Sequence, residues 1–444
     1  MIQELTISNG HVLSALATIP NDTVDLIVTS PPYWGLRDYG EETIAIWDGD
    51  AECEHEWGAL ERGHHIGQVP QTKDQVASGS KDSGAFCSKC GAWHGQLGLE
   101  PSLELYTKHL LQITAELKRV LKPTGVLFWN HGDSYSASGE RDVSRWSSKE
   151  IASRPPIREK TLPAKCLCLQ NYRLVLRMID EQGWILRNTI IWNKPNHMPS
   201  SVKDRFTNGY EPIFMLTKSK RYWFDLDAVR EPHKYLESEQ KRQDFTDKVH
   251  YGGQDIEMRG KNRYARSRID DFNPLGKNPG DVWTMNTQPF PDAHFAVFPE
   301  ELPERCIKCG CPREICTQCG KARVRITERD SPDEHIRRLD QDRKIRGAGF
   351  EYVEGLGGQR HQDWLNSHPQ QTIGWTTCSC ANPEYRPGIV LDPFLGSGTT
   401  MKVARRLGMS CIGIEISPKY VSMAKREVGW NEGLFGIEFR EFLL

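Results

Sequence analysis

The chain has 444 residues, with 57 Lys and Arg against 59 Asp and Glu and a net charge of −2. At about 150 residues per domain, that length allows about three domains or one large domain with insertions. The balance of charge excludes a globally basic protein, so any polyanionic partner must be held by a local basic face, and 38% hydrophobic residues exclude a disordered chain. No apolar run approaches the ~18 residues of a membrane helix, and the first basic residue, Arg37, comes too late for a signal-peptide start. The expectation is a cytoplasmic protein without a membrane partner, whose 13 cysteines bind metal or pack in the core rather than form disulfides.

In chain order, the apolar run Val24–Thr29 reads as a buried strand, stopped by Pro31 and Pro32, which cannot donate to a ladder. Leu103, Leu110, Ile113, Leu117 and Leu121 predict a helix over 103–121, ended by Lys122-Pro123-Thr124-Gly125, with a strand at Val126–Trp129 after it. A helix over Leu169–Ile179 separates that strand from a run at Trp184–Trp192, and Pro212–Leu216 is a further strand. The C-terminal rhythm is strand (Ile389–Asp392), turn (Pro393–Gly398), helix (Thr399–Leu407), strand (Cys411–Glu415) and helix (Pro418–Val428). Such alternation predicts an α/β fold with a doubly wound parallel sheet. Two stretches break it: 233–280 is polar and rich in Lys and Arg, and 306–386 holds seven of the 13 cysteines.

A strand followed by Gly396-Ser397-Gly398 and a helix is a nucleotide-binding device. The glycines permit a tight turn and close ligand approach, and the helix start offers free N–H groups. Glu415, 17 residues beyond Gly398 at the end of the next strand, is placed for ribose hydroxyls. The turn lacks the Gly-Lys-Ser/Thr of a P-loop, which argues against ATP. At the other strand exit, Ser30-Pro31-Pro32-Tyr33 offers a hydroxyl, carbonyls without ladder partners and a flat ring. That set suits a planar substrate with an exocyclic amine, whose N–H protons the acceptors take and whose lone pair is turned toward an electrophile.

Thr29-Ser30-Pro31-Pro32-Tyr33-Trp34 together with Asp392-Pro393-Phe394-Leu395-Gly396-Ser397-Gly398-Thr399 strongly resembles the amino-methylating DNA methyltransferases of the beta group, in which the catalytic motif precedes the cofactor motif. The stretches Ile191-Trp192-Asn193-Lys194-Pro195, Met198–Phe206 and His294–Pro299 look familial as well. The resemblance implies a Rossmann-like methyltransferase sheet with permuted motif order, S-adenosylmethionine as cofactor and a base flipped out of double-stranded DNA. Ser30, Pro31, Pro32 and Tyr33 map onto the catalytic motif, and Asp392, Pro393, Phe394, Gly396, Gly398, Thr399 and Glu415 onto the cofactor motif. Phe295 and Pro299 map onto the segment closing over the methionine end. A Ser at the head of the catalytic motif is more often found with N4 of cytosine than with N6 of adenine, so cytosine is expected and adenine is the alternative. Cytosine-C5 chemistry would need a cysteine nucleophile, for which Cys166 and Cys168 are the nearby residues, better read as packing. Restriction-modification of bacterial, archaeal or phage type is implied, with a companion restriction endonuclease as a possible partner.

Cys53-x-His55 and Cys87-x2-Cys90 form two close pairs of soft ligands, the spacing of a structural zinc site, with His64 and His65 as competing ligands. Cys316-x2-Cys319 with Cys378 and Cys380 is a second expected zinc set, leaving Cys306, Cys309 and Cys311 over. Arg259, Lys261, Arg263, Arg266 and Arg268, interleaved with Asn262 and Tyr264, are expected DNA contacts, as are Lys203 and Arg205. The expected organisation is a catalytic half over 1–225 with a zinc-binding insertion at about 51–95, and a target-recognition insertion over 226–282. A cofactor-closing segment over 283–305, a Cys-rich insertion over 306–386 and a cofactor-binding half over 387–444 complete it. A non-enzymatic zinc protein that binds nucleic acid, and RNA as the substrate, are the rival readings.

Overall fold

The computed structural model of the protein describes residues 2–58, 85–136, 162–231, 248–251, 254–257, 276–288, 298–328, 371–430 and 437–443. Its contacts divide the chain into two compact units, 1–224 with 281–317 and 384–444, and 225–280 with 318–383.

The first unit is built on a nine-stranded sheet. Its strands are β1 (Gln3–Asn9), β2 (Val24–Thr29), β3 (Leu121–Asn130), β4 (Ile185–Asn193), β5 (Tyr210–Thr217), β6 (Val282–Thr284), β7 (Ile389–Asp392), β8 (Ser410–Glu415) and β9 (Ile437–Leu443), in the order β6-β4-β5-β3-β2-β7-β8-β1-β9. The helices are α1 (Val12–Thr18), α2 (Leu103–Val120), α3 (Gln170–Gln182), α4 (Glu301–Gly310), α5 (Thr399–Arg406) and α6 (Pro418–Glu427). Every residue of β2 is buried, as a central strand covered on both faces requires. Alternation divides the faces: Ile27 and Leu127 join the core cluster that α1, α2 and α3 complete. Leu26 and Phe128 point the other way, where a Cβ on Gly310 of α4 would come within 2.8 Å of Leu26. The sheet is therefore doubly wound.

The sheet departs from the all-parallel expectation at β5, which runs antiparallel to both β3 and β4. The link from β4 to β5, residues 194–209, contains no helix, and a crossover to a parallel neighbour ordinarily needs one. Two boundaries also move. β3 begins at Leu121 directly after α2, because Leu121 pairs with Val24 and the Lys122–Gly125 segment is absorbed by a register shift before Val126 meets Leu26. α3 continues to Gln182, where Gly183 at φ +66° supplies the left-handed cap. Residues 44–47, just before the insertion, pair with 93–96, which pair with 85–86, in a separate three-stranded sheet. Among the described residues no helix is long and apolar enough to cross a membrane.

In the second unit, residues 248–251 pair with 254–257 and 325–328 with 371–375, both antiparallel.

Candidate active site

β2 and β7 lie side by side at the centre of the sheet, and the strands around them present their carboxyl ends at one edge. There the chain forms a cleft of about 250 Å³. The Ser30–Tyr33 turn enters it after β2, the glycine turn after β7, and Glu415 at the end of β8. His11 follows β1, Asn130 ends β3, and Lys194 and Glu211 stand where β4 gives way to β5. This edge is where open α/β sheets ordinarily hold ligands.

The Ser30–Tyr33 turn is braced from beneath. Tyr106 of α2 donates 2.7 Å to the Pro32 carbonyl and lies 3.1 Å from His131 Nε2. Trp129 Nε1 donates to His131 Nδ1, which places the ring proton on Nε2. Burial pushes the His131 pKa from 6.5 down to about 3, so the ring is neutral. Of the two proline carbonyls expected to be free, that of Pro32 is thus spent inside the fold, and only that of Pro31 takes no hydrogen bond among the described residues. The ring of Tyr33 stacks on His131 at 5.2 Å, and a Cβ on Gly132 would come within 2.6 Å of it. The Tyr33 hydroxyl meets Ser30 Oγ at 3.0 Å, Asn130 Oδ1 at 3.3 Å and Glu211 Oε2 at 2.9 Å. Burial first, then the charge of Glu211, raise its pKa well above 10.0, so it is a phenol that donates.

At the glycine turn, the Glu415 carboxylate accepts from Gly396 N at 2.8 Å and Ser417 N at 2.9 Å. Burial in the cleft nevertheless pushes its pKa from 4.5 up to about 7. Gly396 has φ +53° and an added Cβ would meet only the Phe394 carbonyl, at 4.0 Å, whereas at Gly398 (φ +91°) it would strike Ala424 at 2.9 Å. Gly396 therefore leaves room for a ligand, and Gly398 lets α6 pack close. Ser397 lines the same cleft with its buried Oγ unpartnered among the described residues. An acceptor for a diol, open space over a glycine and an unspent hydroxyl fit a nucleoside cofactor.

Of the residues expected from the sequence, Ser30, Pro31, Pro32, Tyr33, Pro393, Phe394, Gly396, Thr399 and Glu415 line the cleft. Asp392 lies beneath it, its carboxylate taking Thr29 Oγ1, Thr400 Oγ1 and Phe394 N. Pro299 is buried just before α4, and its neighbour Phe298 reaches the cleft instead. Phe295 lies outside the described residues. Sequence reasoning passed over Asn130, Lys194, Glu211, His131 and Tyr106. The signal for Glu211 was an acid inside an otherwise apolar strand, Tyr210-Glu211-Pro212-Ile213-Phe214.

In the first unit, the ligating atoms of Cys53, His55, Cys87 and Cys90 all lie within 4.8 Å of one another. Cys53 and Cys87 sulfurs are 4.0 Å apart, and Cys90 Sγ is 3.4 Å from His55 Nδ1. Tetrahedral zinc with its usual bond lengths needs about 3.8 Å and about 3.5 Å for these edges. Glu56 N donates to Cys87 Sγ at 3.4 Å, as a thiolate ligand favours. The donor set fits zinc. His64 and His65 lie outside the described residues. Cys319, Cys378 and Cys380 cluster within 4.8 Å in the second unit, and Cys316 is buried in the first. Cys306, Cys309 and Cys311 are buried on and just after α4, and burial raises the Cys306 and Cys311 thiols well above 9.0, so they serve as packing. Cys166 and Cys168 do not line the cleft.

Lys203 and Arg205 are exposed in the 195–209 loop, whose ends are joined by Lys194 N donating to Gly209 O, and Arg205 lies 4.0 Å over the Tyr135 ring. Arg259, Lys261, Arg263, Arg266 and Arg268 lie outside the described residues.

The profile of the DNA methylase family matches residues 24–315 and 379–426. The type II methyltransferase M.XycI of Xanthomonas campestris pv. cyanopsidis is 32% identical over 97% of this chain and 90% of its own. The type II methyltransferase M.SmaI of Serratia marcescens is 27% identical over 94% of this chain and 89% of its own. Among solved structures, the PvuII DNA methyltransferase (cytosine-N4-specific) aligns with 98% of this chain and 91% of its own, at a TM-score of 0.45 and 15% identity.

Proposed function

The chain belongs to the DNA methylase family that methylates amino groups of bases, and from that premise we propose that it moves a methyl group from S-adenosylmethionine to N4 of cytosine in double-stranded DNA. The single observation carrying this reading is the shared cleft: the Ser30–Tyr33 turn and the Gly396–Glu415 turn, more than 360 residues apart in the chain, open into one space. Cytosine is favoured by Ser30 at the head of the catalytic motif.

Glu415 would hold the ribose hydroxyls, and Phe394, Gly396, Ser397 and Thr399 would hold the rest of the cofactor, with Phe295 and Pro299 in the closing segment. When bound, the cofactor supplies an electrophilic methyl group on a sulfonium. Ser30 Oγ and the Pro31 carbonyl take the N–H protons of the flipped base, which aims the amine's lone pair. Tyr33, fixed by His131 and Gly132, gives the base an edge of defined position. No protein nucleophile is needed, because the amine itself attacks.

Zinc on Cys53, His55, Cys87 and Cys90 would hold the small sheet whose Trp47 and Gln96, with Leu97 just after it, line the cleft. Lys203 and Arg205 would meet phosphates, with Arg259–Arg268 as further contacts. The type II relatives support a cytoplasmic restriction-modification role beside a companion endonuclease. Expression in an unmethylated host, followed by nucleoside mass spectrometry and modification-sensitive sequencing, tests the reading. N4-methylcytosine at one short site is expected; N6-methyladenine would overturn the choice of base, and unmodified DNA the activity.

A further inference from the structure

Resting on the amino-methylation reading above, we propose that Glu211 is the terminal proton acceptor of a wire, Ser30–Tyr33–Glu211, that carries away the proton the methylated amine must shed. The order of donors is set by the geometry. Glu211 Oε2 is 2.9 Å from the Tyr33 hydroxyl, and Lys194 Nζ holds the other oxygen, Oε1, at 2.5 Å. Asn130 Oδ1 competes for the phenol proton from 3.3 Å, its Nδ2 being committed to the Pro212 carbonyl. A phenol has one proton, and the nearer, ionised acceptor takes it. The Tyr33 oxygen is then an acceptor, so the Ser30 hydroxyl 3.0 Å away donates to it. That leaves the Ser30 lone pairs to accept from an amine in the cleft that Ser30, Tyr33, Lys194 and Glu211 all line.

Every link therefore points from the amine toward Glu211. In the reaction the amine's electron pair forms the new N–C bond, and the pair of the broken C–S bond stays on sulfur as a neutral thioether. The nitrogen is left with one proton too many and a positive charge. It passes that proton to Ser30 Oγ as Ser30 passes its own to Tyr33 and Tyr33 its own to Glu211 Oε2. Atoms and charge balance: the amine ends neutral, Ser30 and Tyr33 are restored, and Glu211 is a carboxylic acid beside Lys194, which stays cationic. Solvent then takes the proton from Glu211, which the cleft leaves partly exposed, with a side-chain accessibility of 20%.

The test uses the full-length protein, S-adenosylmethionine and a duplex carrying its methylation site. Glu211→Gln keeps an oxygen that accepts from Tyr33 but cannot take the proton, and it is expected to slow single-turnover methylation about 100-fold or more. Cofactor binding by calorimetry, and base capture read from a fluorescent base analogue at the target position, are expected to stay within about twofold of wild type. Tyr33→Phe is expected to slow methylation similarly, and the double variant no further than the slower single one, because both cut one wire. Glu211→Ala is expected to regain rate on addition of formate, a small carboxylate that can stand at the end of the wire. Glu211→Gln at the wild-type rate, base capture lost in step with rate, additive losses in the double variant, or no rescue by formate would each overturn the wire. A wild-type protein that modifies no nucleoside would instead overturn the methylation reading itself.

Discussion

The hydroxyl of Thr29, the last residue of β2, donates a 2.7 Å hydrogen bond to Oδ1 of Asp392, the last residue of β7, 363 positions later in the chain. It joins the strand leading to Ser30 to the strand leading to Gly396. Asp392 also accepts from Thr400 Oγ1 at 2.7 Å and Phe394 N at 3.1 Å, so one buried carboxylate braces both turns. Thr29→Val deletes one of those bonds and leaves Asp392 under-satisfied. The expected cost is about 1.5–3 kcal/mol of unfolding free energy, read by denaturant titration. An unchanged midpoint would mean that the bond contributes nothing to holding the two turns together.

The raised pKa of Glu415 gives a pH-dependent difference between wild type and Glu415→Gln. The folded carboxyl titrates near 7 against an ordinary 4.5, so the folded state holds an extra proton between those values. The stability this group contributes is present below about 4.5 and is lost as pH rises through about 7. Glu415→Gln should therefore match wild type near pH 5 and become the more stable protein at pH 8, by an amount on the order of 1–2 kcal/mol given the solvent the group keeps. The same variant should bind S-adenosylmethionine at least tenfold more weakly at pH 8. Thermal melts and calorimetry at the two pH values check both halves; a variant less stable than wild type at pH 8 contradicts the assignment.

The two glycines of the turn should respond differently to the same change. Gly398→Ala drives a methyl into the Ala424 backbone at 2.9 Å and strains a φ of +91°, so the expected result is a drop of several degrees in melting temperature. Gly396→Ala meets open space, with only the strain of φ +53°, about 1 kcal/mol. Its methyl occupies the cleft, so its main effect should be lost cofactor affinity with the fold retained. Equal stability losses for the two variants would show that Gly396 does not face the ligand.

Metal analysis of the purified protein should find zinc, and a strong chelator should lower its melting temperature. Cys87→Ser should do the same, because Cys87 brings its own sulfur and an N–H bond from Glu56 to the site. Cofactor affinity should fall in parallel, since the small sheet beside these ligands supplies Trp47 and Gln96 to the cleft. Metal-free protein with unchanged melting and binding would remove zinc from the account.

How far the sequence carried can be judged from single elements. β2, β7 and β8 were legible because a buried strand reads as an unbroken apolar run and each ends in turn chemistry. The direction of β5 was not, because a run such as Pro212–Leu216 looks the same whichever way it is laid beside its neighbours. β6, only three residues long, carries too little pattern to be noticed.

The order of the motifs, the residue types at the two turns and the paired zinc-type ligands were settled by local sequence. Each depends on what a stretch of a few residues can do by itself: turn tightly, stop a ladder, or offer soft donors. The polar partners of Tyr33 were decided only by the tertiary fold. Asn130, Lys194 and Glu211 come from three different strand ends, and their chemistry exists only where the sheet brings Asn130 and Glu211 within hydrogen-bond reach of one phenol and Lys194 within reach of Glu211. Hydrogen bonds act over about 3 Å, so a residue 178 positions away in the chain leaves no mark on the local pattern around Tyr33.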